Sequence, residues 1–158
     1  LRILIILEKI YPKSFDIEMI NKALEEYTPD NNRSQLDVTK YNKLIVDAYN
    51  ANPSSMAAAI DNFKVMDVDK KMAILGDMRE LGDVSMVEHQ KIVDKLKEYG
   101  FKEIWLVGDE FGETDTDYRK FKDVEEVKKE IAKKRPEGYY ILIKGSNGIK
   151  LFQIPELL

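Results

Sequence analysis

The stretch KLIVDAYNANPSSMAAAIDNF, residues 43–63, sets the architecture. Its opening, KLIVDA, is a continuous apolar run of the kind found in a strand buried on both faces. Its second half puts Met56, Ile60 and Phe63 on one helical stripe. Asn52 stands where an N-cap belongs, and Pro53 at the first helical position has its φ already set. The stretch therefore reads as strand, corner and helix. The corner, DAYNANP (47–53), gathers a carboxylate, a phenol, two amides and a proline, which is more polarity than a turn needs.

Working outward, the same alternation recurs. KMAILGD (71–77), EIWLVGD (103–109) and YYILIKG (139–145) are further buried-strand runs. Between them, Ser85 with Glu88 predicts a capping box for a helix carrying Ile92, Val93, Leu96 and Tyr99, stopped by Gly100. Asp123 caps a helix with Val124, Val127 and Ile131, ended by Pro136. SNGIKLFQI (146–154) fits either a short helix or a strand; the helix is favoured, because Ser146 or Asn147 can cap it and Pro155 stop it. Ahead of the opening stretch, QLDVT (35–39) and KLIVDA flank KYN as a β-hairpin. Strand and helix in alternation predict an α/β fold: a Rossmann-like, doubly wound, mostly parallel sheet with an antiparallel hairpin strand at its edge. Such sheets bind ligands beyond the carboxyl ends of their strands. Those ends here are DAYNANP, GDMRELG (76–82), GDEFGE (108–113) and KGSNG (144–148). The polar corner thus lies where this architecture puts its ligand.

Composition narrows the chemistry. The chain has 158 residues, 44% of them hydrophobic and 34% charged, which is ordinary for one globular domain plus part of another. Its net charge of −4 argues against nucleic acid or an anionic membrane as partner. With no cysteine there is no disulfide, thiol nucleophile or thiolate metal site, and one histidine argues against a histidine-rich metal centre. That residue, His89, sits beside an apolar stripe and reads as a partly buried structural histidine. No G-x-x-x-x-G-K-[ST] or G-x-G-x-x-G loop occurs. A nucleotide bound here would be held by its sugar or base, its phosphates by another domain. The start, LRILIILEKIYP, is too short to span a bilayer and lacks a cationic leader. It reads as a helix packed on every side, in a chain cut from something larger. Ile17, Ile20, Leu24 and Tyr27 form a stripe after Asp16, and TPDNNRSQ (28–35) reads as a hinge.

DAYNANPSSM, preceded by NNRSQ and followed by ILGDMRELG and IKGSNG, resembles the C-terminal domain of the Mur ligases. The resemblance runs from about Ala23 to the end and lies within the branch whose amine substrate is D-alanyl-D-alanine. It implies a three-domain, ATP- and Mg²⁺-dependent amide ligase of peptidoglycan precursor synthesis in the bacterial cytoplasm. The carboxylate of UDP-N-acetylmuramoyl-tripeptide would be activated as an acyl phosphate and attacked by the amine. Residues 1–27 would be the last helices of the central ATPase domain and 28–158 the C-terminal domain, expected to be inactive alone.

The resemblance also suggests roles, residue by residue. Asp47 would accept hydrogen bonds from the ATP ribose, with Tyr49, Asn50 and Asn52 lining the nucleotide side. At a strand end, Asp47 is expected to matter little to stability. Arg33, in the hinge, would reach the phosphates on closure. Asp109, Glu110, Lys144, Ser146 and Asn147 correspond to where a sister ligase holds its incoming amino acid. No metal ligands are expected. The competing reading is a freestanding flavodoxin-like nucleotide-binding or regulatory module. The hinge argues against it, since such a module has no use for NNRSQ ahead of its first strand.

Overall fold

The computed structural model describes residues 35–158. Arg33, the stripe from Ile17 to Tyr27 and the apolar start lie outside the described residues. The elements run β1 (Gln35–Val38), β2 (Lys43–Asp47), α1 (Pro53–Val65), β3 (Lys71–Gly76), α2 (Ser85–Glu98), β4 (Glu103–Val107), α3 (Asp109–Gly112), β5 (Arg119–Phe121), α4 (Val124–Lys133) and β6 (Tyr140–Lys144). They build one six-stranded sheet in the order β1-β2-β6-β3-β4-β5. Only β1 runs antiparallel, against β2, so the mostly parallel sheet with an antiparallel edge hairpin is as expected.

Side chains alternate across the pleat, so each central strand feeds two cores. Met72 and Ile74 of β3 join Leu44, Val46, Ile141 and Ile143 beneath α4, whose Val124, Val127 and Ile131 face them. Ala73 and Leu75 turn the other way, to Met56, Ile60 and Phe63 of α1 and Ile92, Val93 and Leu96 of α2. Each fully buried side chain of this size contributes roughly 1.5–3 kcal/mol. The result is helices on both faces of the sheet. Among the described residues no helix is long and apolar enough to cross a membrane.

Two local expectations fail, and one strand was not expected. Residues 146–154 do not form one helix: 3₁₀ turns at Asn147–Ile149 and Leu151–Gln153 are separated by Lys150, whose φ of 63° is left-handed. The break lets Leu151 and Ile154 both reach the core. Ser85 is not a capping residue. A 3₁₀ turn, Gly82–Val84, already leads into α2, Val84 holds the cap position, and Ser85 is the first helical residue. The edge strand β5 went unforeseen, because two of its three residues are charged and only Phe121 is buried.

Candidate functional site

The site is built from the carboxyl ends of β2, β6, β3 and β4. In register, Asp47 stands directly opposite Lys144. Both point to the α1 side of the sheet, where the 48–52 corner crosses. Lys144 Nζ donates to Asp47 Oδ2 at 2.6 Å and to the Asn50 carbonyl at 3.1 Å. The lysine side chain is 1% exposed and that of Asp47 23%. A buried ammonium is tolerated only when paired and hydrogen-bonded, and this one is both. Among the described residues nothing donates to Asp47 Oδ1. Ala48 and Ala51 anchor the corner in the core, leaving Tyr49, Asn50 and Asn52 exposed. Asn52 caps α1 as expected: its side chain accepts from Ser55 N–H at 2.8 Å, and Ser55 Oγ accepts from Asn52 N–H at 3.1 Å.

Asp77, just beyond β3, ties the next three ends together. Its N–H donates to the Val107 carbonyl and its own carbonyl accepts from Ser146 N–H. Its carboxylate accepts from Phe111 N–H at 2.9 Å and Glu110 N–H at 3.1 Å, holding the first turn of α3. Burial pushes the Asp77 carboxyl above its ordinary range, and the two N–H donors oppose that shift. Gly108 leaves it room: a Cβ there would come within 2.1 Å of Asp77 Oδ2. At the end of β6, Gly145 is packed 2.9 Å from the Gly76 Cα by the same measure.

His89 is fully buried, more so than its sequence position suggests. Its Nε2 accepts from Met78 N–H at 3.0 Å, and Nδ1 faces the Ser85 carbonyl at 2.8 Å. These partners assign the ring proton to Nδ1. The imidazole is thereby a fastener of the 77–79 loop, not a surface group. Ser85 Oγ donates to Glu110 Oε2 at 2.8 Å, a bond from α2 to α3 in place of the expected cap.

A cleft of about 410 Å³ opens over these ends, lined by Asp77, Arg79, Gly108, Asp109, Lys122, Asp123, Gly148, Lys150 and their neighbours. Of the residues expected to meet the amine, Asp109 lines it. Glu110 is exposed on α3, and Asn147 is exposed at the start of the turn that leads to Gly148. Ser146 is buried, its Oγ accepting from Arg79 N–H at 2.9 Å. Lys144 belongs instead with Asp47 and Asn50, outside the cleft lining. Sequence reading missed Asp77, Gly108, Lys122 and Lys150 as site residues. The clue available for Asp77 and Gly108 was their place in strand-end loops; Lys122 and Lys150 carry no local signal.

Comparison with known proteins agrees with this fold. Residues 32–147 match the family described as Mur ligase, glutamate ligase domain. A UDP-N-acetylmuramoyl-tripeptide--D-alanyl-D-alanine ligase from Rickettsia prowazekii is 33% identical over 147 residues, covering 89% of this chain and 33% of the relative. MurF from Acinetobacter baumannii superposes with a TM-score of 0.71 at 28% identity, over 89% of this chain and 32% of that one. MurF ligase from Thermotoga maritima, solved in complex with ADP, has the same fold: TM-score 0.74 at 21% identity, over 96% of this chain and 35% of that one. The match spans no more than about a third of the length of the curated relatives, 33% of one and 26% of another. With more than half of its residues inside the family match, the chain belongs to the Mur ligase family.

Proposed function

We propose that this chain is the C-terminal domain of an ATP-dependent ligase of peptidoglycan precursor synthesis. In this reading the enzyme joins the amine of D-alanyl-D-alanine to the peptide carboxylate of UDP-N-acetylmuramoyl-tripeptide, in the bacterial cytoplasm. The observation that carries it is the relative 33% identical across 89% of the chain, which is named for that activity. Residues 1–27 would close a preceding domain that holds the phosphates, and further domains would hold the UDP-sugar.

The residues of this chain suit a share of that work. A carboxylate at a strand end, fixed by Lys144 through one oxygen and open at the other, matches the vicinal hydroxyls of a ribose. Tyr49, Asn50 and Asn52 form the exposed rim beside it, and Arg33 would reach the phosphates when the hinge closes. ATP, when bound, supplies the phosphoryl group that turns a carboxylate into an electrophile. Among the described residues no three His, Asp or Glu side chains are grouped to hold a metal ion. In this reading Mg²⁺ would sit with the phosphates on the preceding domain. Asp109 lines the cleft where the amine would enter, and Asp77 ties Glu110 and Ser146 beside it through their N–H groups, with Asn147 next along the chain.

Release of ADP by the intact protein tests the reading. It should require both UDP-N-acetylmuramoyl-tripeptide and D-alanyl-D-alanine, and yield an amide-linked product five residues long. Release that depends on neither substrate would favour a nucleotide-binding module instead.

A further inference from the structure

We infer that Arg79 binds the carboxylate of the incoming amine substrate, a role that rests on the ligase reading and refines where that substrate sits. D-alanyl-D-alanine carries one carboxylate and one amine, and the amine must project from the cleft to reach an acyl group on another domain. The carboxylate is then the end that goes inward. Lys144, the obvious cation from sequence, is buried and occupied by Asp47 and the Asn50 carbonyl. Ser146 Oγ is buried beneath Arg79.

Arg79, Lys122 and Lys150 are the cations that line the cleft, and of these Arg79 alone carries a planar fork of donors. Among the described residues no carboxylate comes within 4.0 Å of its guanidinium, although Asp77 and Asp109 line the same space. Its backbone is fixed by the Ser146 hydroxyl, and the preceding residue by His89. The guanidinium lies against Gly148: Nη1 is 2.6 Å and Cζ 2.8 Å from where a Cβ on that glycine would stand. The missing side chain at 148 makes a flat bed for the fork. A planar fork of N–H donors presented this way matches a carboxylate bidentately. Asp109, on the same cleft, gives the ligand its direction, because it attracts the ammonium end and repels the carboxylate.

The test compares D-alanyl-D-alanine with its C-terminal carboxamide in steady-state kinetics of the intact protein. Wild type should prefer the free acid. Arg79→Ala should raise the KM for the acid about 10- to 100-fold, the range for hydrogen bonds to a charged group, and abolish the preference over the amide. The KM for ATP should not move, and Arg79→Lys should recover part of the preference. Gly148→Ala offers a second route, because its new methyl would strike only the flexible end of Arg79. It should show the same kinetic defect with an unchanged melting temperature. An Arg79→Ala enzyme that still prefers the acid, or a wild type that treats acid and amide alike, overturns the assignment. If ADP release responds to a different amino acid or peptide, the substrate reading fails separately. The acid–amide comparison on that amine then decides Arg79.

Discussion

Lys144 and Asp47 close the ends of two adjacent parallel strands, Nζ 2.6 Å from Oδ2, although 97 residues separate them in the chain. The pair joins the corner that faces the nucleotide in our reading to the loop that leads into the cleft. Asp47 is therefore part of the fold, as well as the ribose ligand of the proposed reading. A change at either residue should be felt at the other.

Asp47→Ala should cost about 2–4 kcal/mol, because it strands a buried ammonium; the partial exposure of Asp47 keeps the loss below that of a fully enclosed pair. This revises the expectation that a strand-end aspartate is dispensable to stability. Asp47→Ala combined with Lys144→Met should be more stable than Asp47→Ala alone, since the stranded charge is then gone. Denaturant titration of wild type, Asp47→Ala, Lys144→Met and the double variant measures the coupling. Equal stability of the single and double variants would show that the pair does not stabilise the fold.

Gly108→Ala should destabilise by about 2–5 kcal/mol. The φ of 123° disfavours any side chain, and the Cβ would meet the Asp77 carboxylate, which cannot withdraw without releasing α3. Hydrogen exchange should show the Glu110 and Phe111 amides losing protection ahead of the sheet. Uniform loss across all elements would mean that α3 is not held separately by Asp77.

Asp77 also gives a pH signature. Its carboxyl is raised in the folded state, chiefly by burial, so on raising the pH the unfolded chain ionises first. Wild type should therefore lose stability as pH climbs from about 4, the ordinary aspartate value, through the raised folded value. Asp77→Asn removes that slope, though it forfeits one accepted N–H bond at every pH. The wild-type melting temperature minus that of Asp77→Asn should fall across the window and then level off. Asp61 and Glu130, lowered by hydrogen bonds from Lys95 and Arg119, add stability that is lost as pH drops below that window. Both variants share that acid limb, so it cancels in the difference.

The purified 158-residue chain should bind ATP and adenosine alike, with Kd on the order of millimolar, since a ribose grip must offset the cost of association with few contacts. Chemical-shift perturbation should centre on residues 47–52. Micromolar affinity for ATP, or a strong preference for ATP over adenosine, would show that the chain holds phosphates by itself.

The apolar runs of β2, β3, β4 and β6, the caps Asn52 and Asp123, and the hairpin before β2 were all legible in the sequence. Each depends on neighbours a few residues away: the pleat repeats every two residues, and a cap reaches three. The strand ends could also be read as the ligand side, because parallel sheets share that polarity. Residue partners were not legible. Lys144 meets Asp47 because β6 inserts between β2 and β3, an order that no local pattern encodes. The same crossover brings Ser146 onto Asp77 and Gly148 beneath Arg79. Ser85 gives its hydroxyl to Glu110 instead of capping its own helix, and Lys150 turns left-handed so that Leu151 can be buried. The sequence by itself determined the elements and the end of the sheet where chemistry belongs, through short-range periodicity and capping. Which side chains meet there was decided only by the tertiary structure, because contacts across a sheet follow strand order and register, not distance along the chain.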